Sequence, residues 1–198
     1  MGITLLDLVN EQAGGIWKGN QLKAVIPGGS SAKILTAEEC DVGMDYESLA
    51  EKDTMLGSGG VIVMDSETDM VDALYNILRF YAHESCGQCT PCREGTGWLQ
   101  KICGRILKGQ GRPEDPDMMI DLAEKMCGRT ICVLADAAAF PCERNVRKFR
   151  GEFDAMITSE GAHERTVHLG GPLVQPCLLY TSDAADERSS VALGGRRI

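Results

Sequence analysis

The chain has 198 residues, 43% hydrophobic and 25% charged, which describes ordinary globular sequence with room for one or two small domains. Its net charge of −9 argues against a nucleic-acid surface, and no apolar run approaches the roughly 20 residues that cross a bilayer, so neither nucleic acid nor direct membrane insertion is expected. Nine cysteines without a basic-then-apolar leader read as reduced thiols in a cytosolic or matrix-like compartment rather than as a disulfide scaffold.

Residues 1–65 mix short strand and helix signals with glycine-rich turns. Ile3 to Val9 suits a short amphipathic helix or a strand end, stopped by Gly14-Gly15. Leu22 to Ile26 reads as a strand broken by Pro27-Gly28-Gly29-Ser30-Ser31, a run that lacks G-x-G-x-x-G spacing and is a turn rather than a phosphate cradle. Asp45 to Met55 predicts a short helix with Leu49 and Met55 turned inward, and Val61 to Met64 a buried strand. These elements predict a small α+β module.

From residue 66 the apolar period becomes helical. Ser66 or Thr68 is placed to cap a helix whose inner face carries Val71, Leu74, Tyr75, Leu78 and Ala82. A second helix carries Trp98, Leu99, Ile102, Ile106 and Leu107, ending near Gly109. Asp115 before Pro116 predicts an N-cap for a third helix that Gly128 closes. Cys132 to Ala139, a break at Pro141, then Val146, Phe149, Phe153 and Met156 predict a fourth, interrupted segment. The fold class is therefore α+β, with an all-α four-helix bundle over 66–160. Residues 161–198 read as an irregular tail, aperiodic and foreign in character after about Pro176.

The chemistry concentrates where the first helix ends. Cys86, Cys89 and Cys92 stand at i, i+3 and i+6, too close to build separate structures but able to converge on one [4Fe–4S] cluster with a fourth ligand from elsewhere. Zinc sites more often use two separated C-x2-C pairs, so a zinc-stabilised interaction module is the competing reading. The fourth ligand must come from Cys40, Cys103, Cys127, Cys132, Cys142 or Cys177. Cys103 falls among apolar helix residues and reads as a core thiol. The turn Gly128 to Asp136 can offer both a thiolate and free N–H groups, which favours Cys132 over Cys127 without excluding either. Arg93 and a helix N-terminus beside the triplet would favour the reduced, more anionic state, unless Arg93 merely pairs with Glu94. His83 reads as a surface residue. Arg144, Arg147, Lys148 and Arg150 form a basic stretch, either a solvated face or a dock for an acidic partner.

The segments Val25 to Ser31, His83 to Gly95 and Thr130 to Pro141 resemble the flavoprotein (NADH-binding) subunit of respiratory complex I, in family order from about residue 3 to about 157. The resemblance implies a ubiquitin-like β-grasp (SLBB) module at 1–65 and a cluster held by Cys86, Cys89, Cys92 and Cys132. It also implies a parent in which NADH reduces FMN by hydride transfer and the cluster relays single electrons to clusters in other peripheral-arm subunits. Such a parent would be cytoplasmic in a bacterium, peripheral on the inner face of the membrane. Related subunits of NAD-linked hydrogenases and formate dehydrogenases share much of this pattern. The family's glycine-rich FMN and NADH loops have no counterpart in these 198 residues, so FMN is expected in the full-length parent only. The chain alone is expected to bind neither FMN nor NADH, to contain no catalytic residue and to leave NADH unoxidised. Cys142 stands where the family motif usually has an aliphatic residue. Val133 and Leu134 would face the flavin side.

Overall fold

A computed structural model describes residues 2–158, all within one of the two units into which the chain divides, Met1–His163. The tail expected at 161–198, with Cys177, lies outside the described residues.

Strand β1 (Leu22–Ile26) buries Ala24, Val25 and Ile26 in succession because it is the centre of a three-stranded antiparallel sheet. It pairs with β2 (Leu35–Thr36), setting Val25 opposite Leu35, and with β3 (Ile62–Asp65), setting Ala24 opposite Met64. The turn of residues 27–31 follows β1, where the Gly29 N–H donates to the Gly60 carbonyl at 2.7 Å. Strand β3 departs from the buried strand expected there: Met64 is buried, but Ile62 and Val63 are 39% and 41% exposed. An edge strand has a partner on one side only, so apolar content did not guarantee burial.

Around the sheet, α1 (Leu5–Asp7) is a single turn capped by Thr4 that widens into a π turn at Leu8–Gln12. Helix α2 (Tyr46–Glu51) is shorter than expected, and Asp45 caps it by accepting from the Ser48 N–H at 2.7 Å. Leu49 turns inward and joins Leu5, Val9, Val25, Leu35 and Cys40 in one core. A second core brings Ala24, Ile26, Ile34 and Met64 against Met70, Ala73, Ile77 and Phe149, so strands and helices share apolar packing.

The larger part of the described chain is helical: α3 (Met70–Glu84), α4 (Thr90–Leu107), α5 (Asp115–Met126), α6 (Leu134–Lys148) and α7 (Arg150–Thr158). Helix α4 packs between α3 and α5, and α6 packs against α3 and α5. Asp69 caps α3, accepting from the Val71 and Asp72 N–H groups, whereas Thr68 is engaged by Asp65. On α4, Leu99, Ile102, Ile106 and Leu107 are buried as expected, but Trp98 is 50% exposed.

Asp115 does not cap α5. It lies inside the helix, fully buried, and accepts from Arg105 Nε at 3.0 Å and from the Arg112 N–H at 2.8 Å, with a further contact from Arg105 Nη2. Pro141 does not break α6, which runs through it to Lys148; the interruption comes at Phe149. One missing N–H costs less than unpacking the buried face of Ala135, Ala138, Ala139, Cys142 and Val146. The basic stretch is partly solvated, and each of its cations is paired within the chain. Arg144 pairs with Asp53, Arg147 with Glu143 and Glu124, Lys148 with Glu39, and Arg150 with Asp117 and Asp154. Among the described residues, no helix is long and apolar enough to cross a membrane.

Candidate metal centre

Helix α3 ends because Ser85 turns to extended backbone (φ −63°, ψ 122°), its N–H still donating to the Tyr81 carbonyl at 3.1 Å. Cys86 follows, exposed, and the chain reverses at Gly87, whose φ of 80° lies where a Cβ is disfavoured. Arg93 clasps this turn: its Nη1 donates to the Gly87 carbonyl at 2.9 Å and its Nε to Glu94 at 2.9 Å. The Arg93–Glu94 pair thus exists, and at a site this open it contributes little stability.

Cys89 is the N-cap of α4 and makes no side-chain cap bond, so the first-turn N–H groups keep no side-chain acceptor there. Pro91, in that first turn, has no N–H to leave unsatisfied. Cys92 is buried in the same turn, where Thr96 Oγ1 donates to its carbonyl at 2.8 Å. The second helix therefore does not begin beside the triplet but within it, at Thr90. The triplet's last member is inside the helix, with one exposed, one half-buried and one buried sulfur.

The returning segment reaches this place because α5 crosses α4 closely. A Cβ on Gly95 would stand 2.5 Å from Met126 Sδ, so a larger residue one turn after Cys92 would oblige the Met126 side chain at the end of α5 to move. Beyond Met126 the chain turns at Gly128, whose N–H donates at 2.9 Å to Asp136 Oδ1 in the first turn of α6. Thr130 Oγ1 donates to the Cys132 carbonyl at 2.7 Å. The Ile131 N–H then donates to Cys89 Sγ at 3.4 Å, a contact that joins the return loop to the triplet. Val133 caps α6, so both cysteine-bearing segments lead into the positive end of a helix.

Among the described residues, no three His, Cys, Asp or Glu side chains converge closely enough to hold a metal ion as they stand. Cys89 is tied to the backbone beside Cys132, while Cys86 and Cys132 point to the open surface. The chemistry of the donors nevertheless fits an iron–sulfur cluster: free thiols on two adjoining segments, one N–H directed at sulfur, and no competing carboxylate cage among the described residues. Ile131 and Val133, which flank Cys132, are 87% and 78% exposed, leaving this rim bare.

The remaining thiols belong to other surroundings. Cys40 is buried in the sheet core, its Sγ 3.2 Å from the Thr36 carbonyl, and burial pushes its pKa up to about 11. Cys103 and Cys142 are fully buried, and loss of solvent raises both well above an ordinary thiol. Cys127 is half-buried and raised, first by burial and then by Asp136 and Glu143. His83 stands on the surface beside Glu84. Residue spacing gave no sign of Ser85, whose Oγ lies 3.3 Å from Cys92 Sγ, or of Asp136, whose one legible signal is an acid in a first helical turn.

Residues 72–156 match the family model described as the NADH-ubiquinone oxidoreductase-F iron–sulfur binding region. The chain is 47% identical over 161 residues to the F subunit of NADH-quinone oxidoreductase from Rickettsia conorii, covering 81% of this chain and 38% of that relative. The corresponding protein of Rickettsia typhi is 44% identical over 162 residues, with the same shares covered. A crystal structure of an NAD+-reducing [NiFe]-hydrogenase in the air-oxidised state superposes with a TM-score of 0.69 at 29% identity, covering 79% of this chain and 26% of the hydrogenase chain. The chain thus spans well under half the length of the relatives it matches.

Proposed function

We propose, from the match of residues 72–156 to the NADH-ubiquinone oxidoreductase-F iron–sulfur binding region, that this chain relays single electrons through one [4Fe–4S] cluster held by Cys86, Cys89, Cys92 and Cys132. The Ile131 N–H to Cys89 Sγ contact supports this most directly, since it brings the only exposed thiol of the 127–142 stretch to the triplet. When bound, such a cluster accepts and releases one electron at a time. The protein's part is to hold that centre and set its charge environment. Cys92 anchors it from within α4, and the two helix N-termini oppose the negative charge of the sulfurs. The Ile131 N–H remains directed at Cys89, and Arg93 keeps the Gly87 turn closed.

NADH oxidation at FMN belongs, in this reading, to sequence outside these 198 residues, and the chain alone is inactive towards NADH. Electrons arrive from that FMN and leave to clusters in other peripheral-arm subunits, on the cytoplasmic face of a bacterial membrane. Residues 1–65 serve as a ubiquitin-like SLBB module and 66–160 as the cluster-bearing bundle. The hydrogenase superposition supports a second reading, the equivalent subunit of an NAD-linked hydrogenase, with the same cluster and a different final partner.

The test is direct. The full chain, purified without oxygen and reconstituted with iron and sulfide, should be brown, contain acid-labile sulfide and give a low-temperature EPR signal on reduction. Colourless protein carrying stoichiometric zinc would overturn the reading.

A further inference from the structure

We propose that the Ser85 hydroxyl donates a hydrogen bond to the sulfur of Cys92 and thereby sets how readily the centre takes up an electron. The inference rests on the cluster reading above and adds to it a positioning residue that is not a ligand.

Ser85 Oγ lies 3.3 Å from Cys92 Sγ, within reach of a hydrogen bond to sulfur. The main chain at Ser85 is fixed by its own N–H donating to Tyr81 and by its place as the C-cap of α3. The Gly87 N–H donates to Ser85 Oγ at 3.4 Å, which occupies a lone pair of the oxygen and leaves its proton free to point elsewhere. In the metal-free chain either partner can donate. A sulfur bonded to iron has no proton, so the direction is then settled: the hydroxyl donates and sulfur accepts. The alternative donor nearby, Arg93, is held by Glu94 and the Gly87 carbonyl. Among the described residues the other hydrogen bond to a proposed ligand sulfur, at Cys89, comes from main chain, so Ser85 is a side chain through which sequence can adjust charge on these sulfurs.

A donor to a ligand sulfur withdraws negative charge, and the reduced centre carries one more electron than the oxidised one. The bond therefore favours the reduced form and raises the reduction potential. Removing it shifts the balance of reduced to oxidised centre towards the oxidised by up to about tenfold, which for one electron is about 59 mV.

The experiment compares the full reconstituted chain with S85A and S85T by iron and sulfide content and by potentiometric titration followed by EPR. The expected result is equal loading in all three, a more negative midpoint in S85A, and a midpoint near that of the unaltered chain in S85T, which keeps the hydroxyl. Equal midpoints in S85A and S85T overturn the inference while leaving the cluster reading intact. Loss of iron in S85A with normal loading in S85T also overturns it, because the hydroxyl would then hold the site together rather than adjust it. Absence of iron and sulfide from the unaltered chain removes the cluster reading, and this inference falls with it.

Discussion

The interior of the described unit and the rim at the ends of α3 and α5 use the same side chain for opposite purposes. Cys40, Cys103 and Cys142 are buried, and burial holds each as a neutral thiol, a small apolar filler with a weak donor that in Cys40 and Cys103 finds a carbonyl, at Thr36 and Val71. Cys86 and Cys132 stand open on the surface, on segments that lead into the N-termini of α4 and α6. A cysteine's role here is therefore decided by what surrounds its sulfur, not by how many cysteines lie nearby. Cys40, Cys103 and Cys142 lie away from the return loop, whereas Cys92, though buried, shares the first turn of α4 with the cap position Cys89.

The sharpest way to break that comparison is to exchange serine for cysteine in each population. C132S should abolish or cripple iron loading of the reconstituted chain, whereas C103S should load normally and lose only about 1–3 kcal/mol of stability from its altered core contact. Iron and sulfide analysis with urea unfolding separates the two, and equal loss of iron in both variants would refute the division. Thiol labelling of the metal-free chain offers a second approach. At pH 8, Cys86 and Cys132 should react with a maleimide at once. Cys40, with a pKa of about 11, should react at least about a hundredfold more slowly for want of thiolate, its rate rising roughly tenfold per pH unit until pH 11. Mass mapping that found Cys40 among the fast sites at pH 8 would contradict its burial. The smallest consequence for the rim should come from the scaffold. Asp115→Ala leaves Arg105 and the Arg112 N–H without their buried carboxylate, so unfolding should cost about 3–5 kcal/mol less while iron loading stays unchanged below the new melting point.

Much of this arrangement was legible in sequence, for reasons that differ by element. The triplet could be singled out because its spacing is local, but the spacing did not fix where the three sulfurs point, and among the described residues they do not converge as they stand. Helix faces at Leu74, Leu78, Leu99 and Ile106 could be read because period alone determines them. Asp115 before Pro116 looked like a cap because short-range rules know nothing of Arg105, which turns the carboxylate inward. The basic run at 144–150 read as a solvated face or a dock, without its pairing, because its acidic partners Glu39, Asp53 and Asp117 are distant in sequence. The same limit hid Gly95, an ordinary helix glycine until Met126 arrives, and it made β3 look interior when nothing local says which strand lies at an edge.

The second apolar core has a practical consequence for anyone who would isolate the iron-binding part. Met70, Ala73, Ile77 and Phe149 lean on Ala24, Ile26 and Met64, and Lys148 and Arg144 are tethered to Glu39 and Asp53. A shortened protein beginning at residue 66 would bare a greasy flank and strand two cations at once. The strands thus act as a buttress for the helices, and denaturant should melt both in a single step.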